Sequence, residues 1–342
     1  MAQSSDEEQR RRRRRRLVQG LFVGGAAVGV PALLNSLVAR QVQNLPDMAW
    51  GTGDVYRWQH GDVAYQRLGD GPPLVLLHAF GPGHSSAEWR QAAEELAPSF
   101  EVFALDLPGW GQSSEAGTDL DADLYLQLLD DFLRHVVGKV HPGRPAVLVA
   151  AGLSAAYAAQ AAVELPSHVA GLALVAPTGL ASYSSGPEMR DAVLHSLLRL
   201  PVLGTSALNV FTSRTSIGTY LRRDVFGSPD LVDDTLVDQH YFNGHRPGAQ
   251  QALAAYVAGY LNPGYLNRDL RDTLAKVEQP VWIAWGRRAV NPPVEAADLW
   301  MRSLPEAQLE VFEQAGILPH AESPGEFGRK LESFVSDHVL TA

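Results

Sequence analysis

The sequence predicts an α/β architecture in which a mostly parallel sheet is covered by helices on both faces and a block of helices is inserted late in the chain. Two observations carry this. Short β-branched or apolar runs alternate with helical patterns over much of residues 54–340, as strands joined by helical crossovers do. The alternation stops once, over residues 178–262, where a helical period continues with no strand between. With 342 residues and 46% apolar content, one core domain carrying one insertion accounts for the length.

The chain begins with a basic tail, residues 1–16, that ends in seven consecutive arginines, Arg10 to Arg16. Leu17 to Ala39 follows, a stretch of 23 residues with no charge and only Gln19, Asn35 and Ser36 as clearly polar members. As a helix it is about 34 Å long, enough to cross a bilayer. Basic residues before an apolar segment hold the N-terminus inside and send the following domain outward, so a signal-anchor is the first expectation. The second is an exported and cleaved protein, because Arg14, Arg15 and Arg16 before Leu17 and Val18 fit a twin-arginine signal. A basic tail followed by an ordinary core helix is the third. Residues 40–53 mix Pro, Gly and polar residues and read as a linker.

Beyond position 40 there are 20 basic and 35 acidic residues, a net charge near −15. Such a body repels nucleic acid, and no nucleic-acid partner is expected. Cysteine is absent, which excludes disulfides, thiolate metal sites and a cysteine nucleophile. No cofactor or metal site is predicted. His240 and His245 in the stretch His240, Tyr241, His245, Arg246 are five apart with Gly244 between, a spacing that does not suit a helical metal pair.

The predicted strands are Val55 to Trp58, Val63 to Arg67, Leu74 to His78, Val102 to Asp106, Ala146 to Ala150, Gly171 to Ala176, Val281 to Trp285 and Leu309 to Phe312. Helices are predicted over Ala87 to Ala97, Ala122 to Val137, Ala155 to Leu165 and Pro293 to Ser303. The core is thus 54–177 with 263–342, and the inserted block contributes Ala192 to Leu200, Leu231 to Tyr241 and Gln250 to Tyr260 as a cap.

Three segments give this order a family likeness. The third strand ends in His78-Ala79-Phe80-Gly81-Pro82-Gly83, the fourth in Asp106-Leu107-Pro108-Gly109-Trp110-Gly111-Gln112-Ser113, and near the C-terminus stands Gly316-Ile317-Leu318-Pro319-His320-Ala321-Glu322-Ser323-Pro324. In sequence and spacing these resemble the α/β-hydrolase superfamily, over about residues 54–340. The segment Gly81 to Arg90 further resembles the branch acting on small apolar substrates, including carbon–carbon bond hydrolases.

That resemblance implies a serine nucleophile on a strand-to-helix turn, a histidine base and an acid, each at the end of a different strand. The turn here reads Val149-Ala150-Ala151-Gly152-Leu153-Ser154-Ala155-Ala156. One register puts Gly152 at the nucleophile; the other puts Ser154 there. Pro145 and Pro166, seven residues before and fourteen after Gly152, favour the first. In that register Ser154 is turned away by about 200° and is expected to satisfy helix amides. The acid position falls on Ala289 within Gly286-Arg287-Arg288-Ala289, and the histidine position on Ile317. Neither arginine can replace a carboxylate beside an imidazolium. An acid borrowed from near Thr178 is also missing, since no carboxylate lies between Leu165 and Pro187. Ser154 and His320 remain as fallback catalytic groups.

Amides of Ala79, Phe80 and Leu153 are expected to retain an oxyanion-hole-like concavity able to hold a carbonyl or carboxylate. Leu197, Leu198, Leu200, Val202, Leu203, Val210, Phe211 and Tyr220 of the cap are expected to roof an apolar cavity or to pack the cap on the core. The expected function is a membrane-tethered pseudohydrolase that binds an apolar, lipid-like ligand or a protein partner. The alternative is an active hydrolase or acyl-transfer enzyme for a small apolar ester or carbon–carbon substrate.

Overall fold

The computed structural model describes residues 29–43, 50, 53–180, 189–263 and 269–340. Eight strands form one sheet: β1 (Gly53–Trp58), β2 (Gly61–Leu68), β3 (Pro73–Leu77), β4 (Glu101–Leu105), β5 (Ala146–Ala151), β6 (Val169–Val175), β7 (Val281–Gly286) and β8 (Gln308–Phe312). Their order across the sheet is β1-β2-β4-β3-β5-β6-β7-β8. β1 pairs antiparallel with β2, and β2 with β4; all other pairs are parallel.

The core helices are α1 (29–43), α2 (Arg90–Leu96), α3 (Ala122–Phe132), α4 (Gly138–Val140) and α5 (Ser154–Glu164). Then come α6 (Met189–Leu198), α7 (Leu203–Phe211), α8 (Arg214–Tyr220), α9 (Asp234–Asn243) and α10 (Ala249–Val257), which form the helical cap. The chain ends with α11 (Leu270–Leu274), α12 (Ala297–Ser303), α13 (Pro319–Glu322) and α14 (Pro324–Phe334). Among its described residues the inserted block contains helices and no strand, as its period predicts.

Every residue of β3, β4, β5 and β7 is buried, which is why these strands read as unbroken apolar runs instead of alternating ones. Alternate side chains still go to opposite faces. Val75, Leu77, Leu148 and Ala150 join the cluster under α3, α5 and α12, whereas Leu74, Leu76, Val147 and Val149 join the one under α2 and α14. Fully burying such a side chain contributes about 1.5–3 kcal/mol, so the two layers fix the carboxyl edge of the sheet, where the functional loops emerge.

Two parts of the front end differ from the sequence reading. Residues 40–43, expected to begin a linker, continue α1, and Val42 is buried against the core. Trp50 is buried as well, and its Nε1 donates to Ser86 Oγ at 3.2 Å. The expected apolar segment 17–39 lies outside the described residues over 17–28. Among the described residues no single helix is long and apolar enough to cross a membrane; α6 and α7 together are, but they are bent by 93° at their junction.

Candidate functional site

A sharp turn at the carboxyl edge joins β5 to α5. Gly152 occupies it with φ +59°, the left-handed region that glycine adopts without steric penalty. Its amide donates to Val175 O at 2.9 Å, and its carbonyl accepts from Thr178 N at 3.1 Å, so neighbouring strand ends clamp the turn. A Cβ at this position would meet only Ala79, at 3.6 Å from its Cβ. The position thus has room for a side chain and carries none.

Ser154, the other candidate, opens α5 and is fully buried. Its Oγ donates to the carbonyl of His78 at 2.6 Å. The hydroxyl therefore ties the first turn of the helix to the end of β3, and does not cap helix amides as its position suggested.

The loop after β7 places Ala289 in a buried turn, with its amide on Gly286 O at 3.2 Å. Both flanking arginines turn outward. Arg287 pairs with exposed Glu313 at 3.1 Å, and Arg288 donates to Gly227 O at 3.2 Å. After β8, Ile317 packs against both core clusters and its amide donates to Val225 O at 2.9 Å. His320 is fully buried and stacked on Trp89, with ring centroids 3.6 Å apart.

The turn after β3 is built around a carboxylate that sequence reasoning passed over. Glu88 Oε1 accepts from Ala79 N at 2.8 Å, and Oε2 pairs with His84 Nδ1 at 2.7 Å. His320 Nε2 stands 3.6 Å from Oε1, an electrostatic approach longer than a hydrogen bond. Burial pushes the Glu88 carboxyl up, but His320 and His84 together outweigh it and hold the group below the usual carboxylate range. The visible signal was the four-residue spacing of His84 and Glu88 at a helix start.

His84 reaches on to Tyr220 OH at 3.1 Å through Nε2. Gly83 has φ +74°, and a Cβ there would fall 1.9 Å from the carbonyl of His240, so the cap sits directly on this turn. His240 is buried, its Nδ1 donates to Leu236 O at 3.0 Å, and burial lowers its pKa to about 4. His245 engages Tyr241 O at 2.7 Å and Thr212 Oγ1 at 3.2 Å. Among the described residues no group of three or more metal-ligating side chains converges.

The expected oxyanion-hole amides divide. That of Ala79 is taken by Glu88, whereas those of Phe80 and Leu153 make no hydrogen bond among the described residues. Phe80 itself is held in an aromatic nest by Trp110 at 5.3 Å, Tyr125 at 5.6 Å and Tyr256 at 5.9 Å. The Asp106 turn is structural: Oδ1 accepts from Ser86 N and Oδ2 from Gln112 N, both at 2.7 Å. A Cβ on Gly111 would lie 2.2 Å from the Asp106 carboxyl carbon, which explains the glycine.

The cap departs from expectation on its outer side. Leu197, Leu200, Leu203, Val210 and Phe211, expected to roof a cavity or pack on the core, are exposed. Leu198 and Tyr220 do pack inward. Packing α7 through Leu208 turns the far side of that helix outward.

Comparison with known proteins places this geometry. A sequence model of the alpha/beta hydrolase family matches residues 74–329. A pimeloyl-[acyl-carrier protein] methyl ester esterase of Vibrio vulnificus (strain YJ016) is 27% identical over 280 residues, which is 80% of this chain and 98% of that one. Among solved structures, the CarC serine hydrolase involved in carbazole degradation superposes with TM-score 0.68 at 19% identity, covering 84% of this chain and 99% of its own. A membrane phospholipase A, described as a bacterial virulence factor, superposes with TM-score 0.60 at 22% identity over 94% of this chain and 98% of its own.

Proposed function

The chain belongs to the alpha/beta hydrolase family, and within it we propose that this protein is a membrane-tethered pseudohydrolase, exposed on the outer side, that binds an apolar acyl ligand beneath its cap. One observation carries the reading: the residue at the strand-to-helix elbow is Gly152, at φ +59°, with space for a side chain and no nucleophile. On the same reading Ala289 and Ile317 take the acid and base positions, and neither side chain transfers a proton. Removing a serine triad leaves only the background acceleration of an oxyanion hole and binding, roughly 10³–10⁴ over water.

What remains is suited to binding. The unpaired amides of Phe80 and Leu153 offer two donors to a carbonyl or carboxylate oxygen, aided by the positive end of α5, whose first turn has no side-chain cap. Trp110, Tyr125 and Tyr256 pack around Phe80, so the surroundings of these amides are apolar. The tether rests on the uncharged stretch after Arg10 to Arg16. The same reading is favoured by the name of the membrane phospholipase A that the chain resembles in fold.

A second reading, hydrolysis of a small acyl methyl ester, is favoured by what the Vibrio relative is named for. Its fallback residues argue against it. Ser154 is buried on His78 O, and His320 is buried between Trp89 and Glu88. Incubating the full chain with a medium-chain acyl methyl ester separates the readings. Saturable displacement of a fluorescent fatty acid with the ester recovered intact supports binding. Release of methanol in proportion to protein overturns it in favour of the enzyme.

A further inference from the structure

We propose that the outer side of the cap, together with α1, lies in the lipid bilayer, so that α6 and α7 form an in-plane elbow immersed in the outer leaflet. The proposal rests on the membrane-tether reading and adds to it where the cap sits.

Helix α1 turns one apolar face away from the protein. Val30, Leu33, Leu34 and Leu37 follow the i, i+3, i+4, i+7 rule of a single helical face, and all are exposed, Leu33 by 62%. The polar Asn35 is on the opposite, protein-facing side. Its Nδ2 donates to Val202 O at 3.1 Å, and its Oδ1 accepts from Ser206 Oγ and from Asn209 Nδ2, each at 3.0 Å. Val38 and Val42 of the same helix pack on the core, but over residues 30–37 the face turned away from the protein carries Val30, Leu33, Leu34 and Leu37, a surface that a lipid environment favours.

Those three bonds attach α1 to α7, so the depth of one sets the depth of the other. Residues 29–39 are the second half of the apolar segment 17–39. If that segment enters the membrane, whatever packs beside Asn35 enters with it. The cap is equipped for this. Met189, Val193 and Leu197 form an exposed ridge on α6, Met189 by 85%, and Leu200 extends it just beyond the helix. Leu203, Val210 and Phe211 continue it along α7, Val210 by 71%, and α7 carries no charge. The two helices together are apolar enough for a membrane and are bent by 93° at their junction. An apolar elbow of this kind lies in the interface, about 5–10 Å deep. Exposed apolar surface of this extent marks an interaction site and not ordinary solvent contact.

The absence of cysteine from the chain makes a direct test available. Single cysteines introduced as Leu33→Cys, Val193→Cys and Val210→Cys in the full chain, with Glu306→Cys at the opposite edge of the sheet as control, are labelled with the environment-sensitive dye NBD. The proteins are reconstituted into phosphatidylcholine/phosphatidylglycerol vesicles and floated. The proposal expects co-flotation, with the fluorescence at 33, 193 and 210 quenched by doxyl-labelled phosphatidylcholine at shallow depth, and none at 306. Flotation with unquenched labels at 193 and 210 leaves the tether standing and overturns the immersed cap. Failure to float overturns both. Labels shielded from aqueous iodide yet unquenched by lipid, with a cross-linked dimer, assign the surface to a second copy of the chain and overturn the proposal.

Discussion

Replacing Ser154 by alanine separates a structural hydroxyl from a catalytic one. In the structure Oγ is fully buried and donates to His78 O at 2.6 Å. Alanine removes the donor and leaves a void the size of one oxygen. Losing a buried hydrogen bond of this type costs about 1–3 kcal/mol. Proteins of 150–250 residues lose about 2–4 °C in Tm per kcal/mol, and a chain of this length falls at the lower end, so the melting temperature should drop by roughly 2–6 °C. The change is read by circular dichroism in parallel with hydrolysis of a short-chain nitrophenyl ester. The reasoning holds if the variant melts earlier while ester turnover stays at the level of the unmodified protein. It fails if Tm is unchanged and a robust esterase rate disappears, because Ser154 would then be a working nucleophile and the elbow would be misplaced by two residues.

Other perturbations follow from the same geometry. Glu88→Ala leaves the Ala79 amide and His84 Nδ1 without their acceptor and should destabilise by about 3–5 kcal/mol in urea unfolding; a loss under 1 kcal/mol refutes the role given to this carboxylate. His240, lowered by burial to about 4 against an ordinary value of 6.5, binds its proton later in the folded chain than in the unfolded one. Its stability contribution is therefore complete above pH 6.5 and is lost as pH falls towards 4, by about 3 kcal/mol in all. Burial lowers His78 and His320 in the same direction, so urea midpoints should decline from pH 7 to pH 5, and a flat profile contradicts this. Gly152→Ser places a hydroxyl at the elbow at a backbone cost of about 1–2 kcal/mol, and turnover should still be absent because Ile317 supplies no base. Adding Ile317→His and Ala289→Asp should produce measurable ester hydrolysis, and its absence from a folded triple variant counts against the assignment of the three positions.

The sheet was legible because buried parallel strands leave unbroken apolar runs: Leu74 to Leu77 and Val281 to Trp285 read as strands without help from their neighbours. The turn between β5 and α5 was legible too, and its glycine, Gly152, takes the left-handed conformation, φ +59°, that suits that residue. What the sequence concealed depends on contacts between distant residues. The amide of Ala79 could be assigned to an oxyanion hole only while Glu88 was thought to lie elsewhere, and a carboxylate nine residues away gives no sign of folding back onto it. The cap leucines were misjudged for a related reason. Apolar composition says that Leu203, Val210 and Phe211 avoid water, but which medium takes its place depends on which side of α7 packs through Leu208. Similarly, α1 runs on through residues 40–43 because Val42 finds the core, a partner no local propensity reveals.

The most direct test of the account is the intact mass of the full chain before and after exposure to a fluorophosphonate, which labels activated serines whatever their substrate. With glycine at the elbow and Ser154 buried on a backbone carbonyl, the mass should not change. A stoichiometric adduct, wherever it maps, would show an activated nucleophile and contradict the pseudohydrolase reading.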